Sequence, residues 1–395
     1  MRYRSNHHEQ NQAKYKLSVL HPLRRFVLKL FVFSAVLSTV LNGFLASTCY
    51  AQNTNDNGEN FTAIPAFQAR AGRVKPIIAV IAENRFTELT DYVVPYSVLK
   101  QANIADVFAL GMQEGVIQMF PALRLRAQLS ALQFDTLHPT GADYVIVPAV
   151  HYSDNPALLA WVREQAKKGA TIVGICDGVW VLAHAGLLEN KQAVGHWYSF
   201  DDLTKQFPRT QFIKNKRFLA DGKIITSTGV SASLPVSMAL VEAIAGKAKA
   251  NAVAAELGIT DWTTAHRSAD FKLSGQHLWT ASWNWLSFWG KDKFMTPLTT
   301  AVDELRLALT ADAFSRTYRS SVWTYANESV NSLRGLQILP DMTQANSEDV
   351  LPDLPTDLPP GQTLDWALQQ IAQRYGERSA SFVALQLEYP YRAKK

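Results

Sequence analysis

Residues 170–188 read ATIVGICDGVWVLAHAGLL. The opening Ala170-Thr171-Ile172-Val173 is short, apolar and β-branched, the texture of a buried strand. Val179 to Leu188 is rich in Leu, Ala and Val and reads as a helix. Between them, Gly174-Ile175-Cys176-Asp177-Gly178 places a nucleophile in a small-x-nucleophile-x-small frame, the pattern of a strand-to-helix elbow. The two glycines give the backbone room for a strained turn. Such a turn lifts the thiol off the sheet onto the first amides of a helix, which favour thiolate over thiol. The expectation is a reactive Cys176; the competing reading is a buried spacer.

Outward from the elbow, the chain alternates strand and helix. Ile77–Ala82, Ala105–Leu110, Tyr144–Val147 and Lys223–Ser227 read as strands, and Val116–Phe120 with Arg124–Ala127 as a small hairpin. Leu89–Ala102, Asn155–Lys168 and Leu234–Ala245 read as helices. This predicts an α/β domain over 75–250, a three-layer, flavodoxin-like sandwich with a mainly parallel sheet. Ligands bind such sheets at the carboxyl ends of strands, where the elbow lies. Residues 251–395 are expected to form a largely helical C-terminal extension. In it, Trp279, Trp283, Trp285 and Trp289 crowd one stretch and are expected in a core or interface. Thr300–Arg319 reads as a long helix, with Arg316 and Arg319 on a solvated face or, alternatively, in contact with an anion. The Pro-rich loop 347–361 breaks regular structure, Thr363–Tyr375 reads as the last helix, and Ser381–Leu387 as a strand.

The N-terminus has the order of an export signal over 1–51. Arg24, Arg25 and Lys29 precede an apolar run from Leu30 to Leu45, and Cys49-Tyr50-Ala51 offers a cleavage site near Ala51. The expected location is periplasmic or secreted, with an inner-membrane anchor as the alternative. Lipidation at Cys49 is the weaker reading, because Thr48 precedes it. The Arg24-Arg25 pair leaves a twin-arginine route open. Residues 52–74 are polar and irregular at their start and read as a linker or loosely docked arm. Residues 1–51 hold seven of the 39 basic residues and one of the 34 acidic residues, so the remainder carries about one net negative charge. Nothing in that balance recommends nucleic acid as a partner. Membrane contact is expected only transiently, through the leader. Cys49 and Cys176 are the two cysteines, so the chain without its leader has no intramolecular disulfide.

Four stretches together resemble the ThiJ/PfpI family, relatives of the class I glutamine amidotransferase domain: TELTDYVVPYSVL, DYVIVPA, GICDGVWVLAHAGLLENKQAVGHW and TSTGVSASLPVSMALVE. The elbow together with the GHW run is the specific part. The nearest likeness is to amidase-like and isocyanide-hydratase-like members. The resemblance implies that Cys176 is the nucleophile and that Asp91, four residues before Pro95, is the carboxyl that reaches its sulfur. Glu88 is a second carboxyl, and both acids would also suit a helix N-terminus. His196 falls where relatives carry a histidine near the cysteine; it would act as base, orient a substrate, or serve structurally.

Relatives usually carry a proline-glycine-glycine run where this chain has Pro148-Ala149-Val150-His151. Amides of Ala149, Val150 and His151, with that of Asp177, would form an oxyanion hole. Gly229 and Ser231 belong to a small-residue loop that lines the pocket in relatives. Asp177 stands where the protease branch has a histidine, and its charge opposes thiolate formation, which disfavours proteolysis. No histidine spacing suggests a metal and no cofactor is implied. The implied partner is a small-molecule substrate, and a homodimer is left open. The expected activity is hydrolysis or hydration of a small carbon–nitrogen substrate. The alternatives are a non-catalytic ligand-binding or redox-sensing module, or a transcriptional-regulator-like protein. The last needs a basic recognition helix, and the C-terminal region shows no clear one.

Overall fold

The structure, a computed structural model, describes residues 64–70, 72–286, 291–346 and 350–391. The expected leader 1–51, the start of the expected linker, Trp289 and the first residues of the Pro-rich loop lie outside the described residues.

The central sheet has seven strands: β1 (Ile77–Ala82), β2 (Asp106–Gly111), β3 (Leu129–Ser130), β4 (Tyr144–Val147), β5 (Thr171–Gly174), β6 (Phe218–Asp221) and β7 (Ile224–Ser227). Their order is β6-β7-β5-β4-β1-β2-β3, and only the edge pair β6–β7 is antiparallel. β1 reads IIAVIA and is buried at all six positions, as a strand covered on both faces must be. Its side chains alternate between two cores. Ile78, Val80 and Ala82 join one; Ile77, Ala79 and Ile81 join the other, with Phe134, Trp161 and Val179. The α/β expectation holds for this sheet.

The helices are α1 (Leu89–Ala102), α2 (Ala131–Leu137), α3 (Pro156–Lys167), α4 (Gly178–His184), α5 (Phe200–Gln206), α6 (Ser233–Leu257), α7 (Gly275–Leu286), α8 (Glu304–Ser315), α9 (Thr363–Tyr375) and α10 (Glu377–Gln386). α3 starts where Asn155 accepts hydrogen bonds from the Ala157 and Leu158 amides and Pro156 occupies the first turn. α6 continues past the expected boundary at 250, kinked at Gly246 (φ 81°). By length and composition α6 would suffice to cross a membrane, but half of its apolar window is buried in the fold, where it packs on α1.

The C-terminal region is not a separate helical appendage. α8 carries buried side chains on all sides and packs on α1, while α9 packs on α8. Strand Gln337–Leu339 adds itself antiparallel to the hairpin Val116–Phe120/Arg124–Arg126, pairing Ile338 with Leu125. Asp292–Pro297 pairs in parallel with Ser320–Tyr325. The region's regular structure is helical for the most part, as expected, and adds short strands. Other expectations are corrected. The helix expected over Thr300–Arg319 is the shorter α8, and Ser381–Leu387 falls in α10, not a strand. Trp279 and Trp283 stack on each other at the surface, 64% and 61% exposed, which removes them from the core, one of the two places expected for them. The described end of the expected linker is docked: Ile64 is buried, the Phe67 amide donates to the Ala243 carbonyl, and Arg70 pairs with the buried Asp143 at 2.8 Å.

Candidate active site

The elbow forms as the glycine spacing requires. β5 ends at Gly174, the Ile175 amide donates to the Val147 carbonyl at 2.9 Å, and α4 begins at Gly178. Cys176 between them takes a left-handed backbone, φ 53°. A non-glycine residue pays of order 1–3 kcal/mol for such geometry, and strain of this kind concentrates at functional sites. Gly178 is obligatory by close approach: a Cβ there would stand 2.1 Å from the Val147 carbonyl oxygen. Asp177 precedes α4 without capping it by its side chain, and its Oδ1 is buried with no hydrogen-bond partner.

The thiol sits 9% exposed. Burial pushes its pKa well above the ordinary value of 9.0, and the charges of Asp91, Asp177 and Glu88 push it further. The amide of Asp177 opposes them and loses. The expectation of a dipole-stabilised thiolate is thus corrected: desolvation and three carboxyls outweigh one amide, and Cys176 rests as a neutral thiol.

Asp91, in the first turn of α1, is fully buried. Its Oδ2 accepts from the Ala149 amide at 3.3 Å and its Oδ1 from the Ser233 hydroxyl at 3.4 Å. Burial pushes this carboxyl well above the ordinary 3.8, against the pull of the Ala149 amide. Glu88 stands just before α1, and its carboxyl faces Arg316 from the C-terminal region. Burial pushes the Glu88 carboxyl well above its ordinary 4.5, and the Arg316 guanidinium pulls it only part of the way back. Arg316 Nε also bonds Asp312 Oδ1 at 2.6 Å, and Thr90 donates to Asp312 Oδ2 at 2.8 Å. The solvated face expected for Arg316 is corrected: its side chain is 12% exposed.

The loop 148–151 is strapped to the segment before α1. The Glu88 amide donates to the Ala149 carbonyl, the His151 amide donates to the Phe86 carbonyl, and Val150 bridges Thr87. With its own amide on Asp91, Ala149 is not poised as the oxyanion donor that was expected. His151 packs its ring against Phe86 and Tyr152 at the surface.

His196, Gly229 and Ser231 meet the end of α10 instead. Glu388 is 1% exposed, with a left-handed backbone (φ 52°). It accepts from the Gly229 amide at 2.8 Å and the Trp197 amide at 3.3 Å, and its other oxygen is 2.8 Å from His266 Nε2. His196 Nε2 lies 3.8 Å from Glu388 and makes no hydrogen bond. Ser231 donates its amide to Leu387 and its hydroxyl to the Glu388 carbonyl, at 3.1 and 2.6 Å. The structure therefore brings Cys176, Asp91, Asp177 and Glu88 together, and commits the His196–Gly229–Ser231 group to the C-terminal segment. Asp312, Glu388 and His266 were missed by the sequence reading, and Arg316 was placed on a solvated face. The Asp312/Arg316 spacing of four on one helix was the only local signal. Among the described residues, no group of three or more His, Cys, Asp or Glu side chains is arranged to hold a metal.

Residues 77–243 match the DJ-1/PfpI family, and a domain of that family occupies them. The chain is 37% identical over 86 residues to the HTH-type transcriptional regulator CdhR of Pseudomonas aeruginosa, covering 22% of this chain and 25% of that protein. It is 32% identical over 100 residues to isonitrile hydratase of Pseudomonas putida, covering 25% of this chain and 42% of that protein. The chain thus spans between a quarter and about two-fifths of these curated relatives. Among solved structures, Drosophila melanogaster DJ-1beta aligns with a TM-score of 0.43 and 21% identity, over 48% of this chain and 100% of that one.

Proposed function

We propose that the domain over residues 77–243 is a cysteine-dependent hydratase or hydrolase for a small carbon–nitrogen substrate, with hydration of an isocyanide-type group the better fit. The observation that carries this reading is the strained, buried Cys176 beside the fully buried Asp91, whose carboxyl burial pushes well above its ordinary range. A neutral thiol and a neutral carboxylic acid form a matched pair for addition to a neutral substrate. The acid gives its proton to the substrate carbon as Sγ bonds to that same carbon. The thiol proton passes to the carboxylate that results. Water then adds to the carbon–sulfur adduct, the carbon–sulfur bond breaks, and the thiol and an N-substituted formamide are released.

Amide hydrolysis fits less well because its tetrahedral intermediate needs free amide donors. The Ala149 amide is spent on Asp91 and the Gly229 amide on Glu388. Addition to a linear carbon–nitrogen triple bond builds no oxyanion. The relative named isonitrile hydratase supports the same choice.

A second reading, a binding module without turnover, draws on the C-terminal segment that covers Gly229 and Ser231. Small aliphatic isocyanides, with formamide appearance followed, discriminate the two. The enzyme reading expects turnover lost in Cys176→Ala and in Asp91→Asn. Undiminished turnover in Cys176→Ala would end it; saturable ligand-induced stabilisation in wild type and Cys176→Ala, without turnover in either, would favour the module. Export of the protein is part of the proposal. Sequencing the N-terminus of protein from the periplasmic fraction should find Gln52 first, and an intact Met1 there would contradict cleavage.

A further inference from the structure

The carboxyl end of β7 holds an acid that the family domain does not supply. Past Ser227 the chain turns through Thr228 and Gly229, and His196 lies against that turn: a Cβ on Gly229 would stand 3.0 Å from its ring. Glu388, two residues beyond α10, enters here. Its Oε2 accepts from the Gly229 amide at 2.8 Å and the Trp197 amide at 3.3 Å. Its Oε1 faces His266 Nε2 at 2.8 Å. A carboxylate only accepts, so His266 Nε2 carries the proton of that bond. The His266 ring is fixed by stacking on Phe271, with centres 5.1 Å apart and planes 3° from parallel. Two amides on one oxygen and an imidazole on the other suit the flat, two-oxygen shape of a carboxylate.

Two features mark this cradle as a binding site. It offers more than Glu388 uses. His196 is 8% exposed, and its Nε2 is buried 3.8 Å from Oε2 without a hydrogen bond. The Tyr198 amide donates to His196 Nδ1 at 3.4 Å, so Nδ1 is the acceptor and the ring proton sits on Nε2. An idle buried donor aimed at an anion is costly and rare in a finished core. The cradle is also shaped for close approach. Gly229 has φ −68°, which any residue adopts, yet a Cβ there would stand 2.5 Å from Glu388 Cβ and 3.0 Å from Oε2. Glycine is required by what docks on it, not by its own backbone. The place is one where ligands enter a parallel sheet. The same turn runs on to Ser233, whose hydroxyl donates to Asp91 at 3.4 Å, so the cradle adjoins the candidate active site.

We infer that Trp197, Gly229, His196 and His266 form a binding site for a small carboxylate, and that the chain fills it with its own Glu388 as a ligand in cis. A free two- or three-carbon acid competes with Glu388 for the same donors. This goes beyond the proposed reaction and needs none of its steps. A tethered ligand acts at an effective concentration in about the millimolar range or above. A free acid therefore meets a weak site while Glu388 is in place and a stronger one once it is removed. An ordinary binding residue behaves the other way, since its loss weakens the ligand.

The test uses acetate, which restores the two carbons and two oxygens that Glu388→Ala removes. Binding to the full chain is read by calorimetry and by thermal unfolding in wild type, Glu388→Ala and Glu388→Gln. Glu388→Ala should bind acetate roughly tenfold or more tighter than wild type, and its melting temperature should climb toward the wild-type value as acetate is added. Acetamide, of the same shape without the charge, and sodium chloride at equal ionic strength should not restore it. Adding His196→Phe to Glu388→Ala should weaken acetate roughly threefold or more, because one donor is lost. If the alanine variant does not fold, Glu388→Gln decides, its neutral amide being a poorer occupant that acetate displaces more readily than the wild-type carboxylate. Equal acetate affinity in wild type and variants, equal rescue by acetamide or chloride, or no binding to a folded variant would overturn the inference. Acetate binding as expected in a protein without isocyanide turnover would end the proposed activity and leave the carboxylate site. Turnover that needs Cys176, with no acetate binding to either variant, would do the reverse.

Discussion

Replacing Glu388 by alanine should destabilise the protein far more than a substitution this close to the end of the described chain would suggest. Its carboxylate is 1% exposed and serves three partners: the Gly229 amide at 2.8 Å, the Trp197 amide at 3.3 Å and His266 Nε2 at 2.8 Å. Alanine leaves all three without that acceptor. An unsatisfied buried donor costs about 1–3 kcal/mol, and breaking a buried pair by removing one partner costs about 3–5 kcal/mol. Relaxation of the segment toward water recovers part, so the net loss should be about 3–5 kcal/mol, a large share of a typical domain's stability. Glu388→Gln keeps a carbonyl oxygen for the amides and should lose about half as much. Alanine shares the left-handed backbone cost with glutamate, so the difference reports the carboxylate and not the turn. Urea unfolding reads the change directly, provided the slope is unchanged. A loss below about 1 kcal/mol for Glu388→Ala would refute the idea that the C-terminal segment is anchored through this group.

Asp177→Asn should speed alkylation of Cys176 roughly three- to tenfold near neutral pH, because Asp177 is one of the charges that push the thiol up; a slower reaction would reverse the sign of the electrostatic account. Asp91 contributes to stability in the opposite sense from a salt-bridged acid: its folded pKa is raised, so its contribution is fully present below the unfolded value of 3.8 and is lost as pH rises through the folded value. Asp91→Asn should therefore flatten the fall in unfolding free energy above about pH 4, and an unchanged slope in denaturant titrations across that range would show that Asp91 is ionised in the native state. Gly178→Ala should cost about 2–4 kcal/mol or dismantle the elbow, since the added Cβ would overlap the Val147 carbonyl; a crystal structure of a stable Gly178→Ala with an undisturbed elbow would contradict it.

The sheet and the elbow were legible because their signals are local. The run IIAVIA can only be a strand buried on both sides, and the spacing of Gly174 and Gly178 around Cys176 implies a tight turn. The charge state of the thiol was not legible, although Asp177 was visible beside it. The helix-dipole argument treats the elbow in isolation, whereas Asp91 and Glu88 arrive from a helix more than 80 residues earlier in the chain, and burial outweighs the dipole. The C-terminal region was the least readable. Arg316 looks like any helix-surface arginine until Glu88 is placed opposite, and Glu388 looks like a tail residue until the amides of Trp197 and Gly229 close around it. Ser381–Leu387 was read as a strand, but contacts with α9 and α7 hold it helical.

The central claim is that Cys176 Sγ, resting as a thiol beside the buried Asp91, forms a bond to substrate carbon. Intact-protein and peptide mass spectrometry of samples quenched during exposure to a small aliphatic isocyanide tests it most directly. The account predicts a mass gain equal to one isocyanide, located on the peptide that holds Cys176, and absent from Cys176→Ala. Formamide production by wild type and Cys176→Ala at equal rates, with no adduct on that peptide, would contradict it.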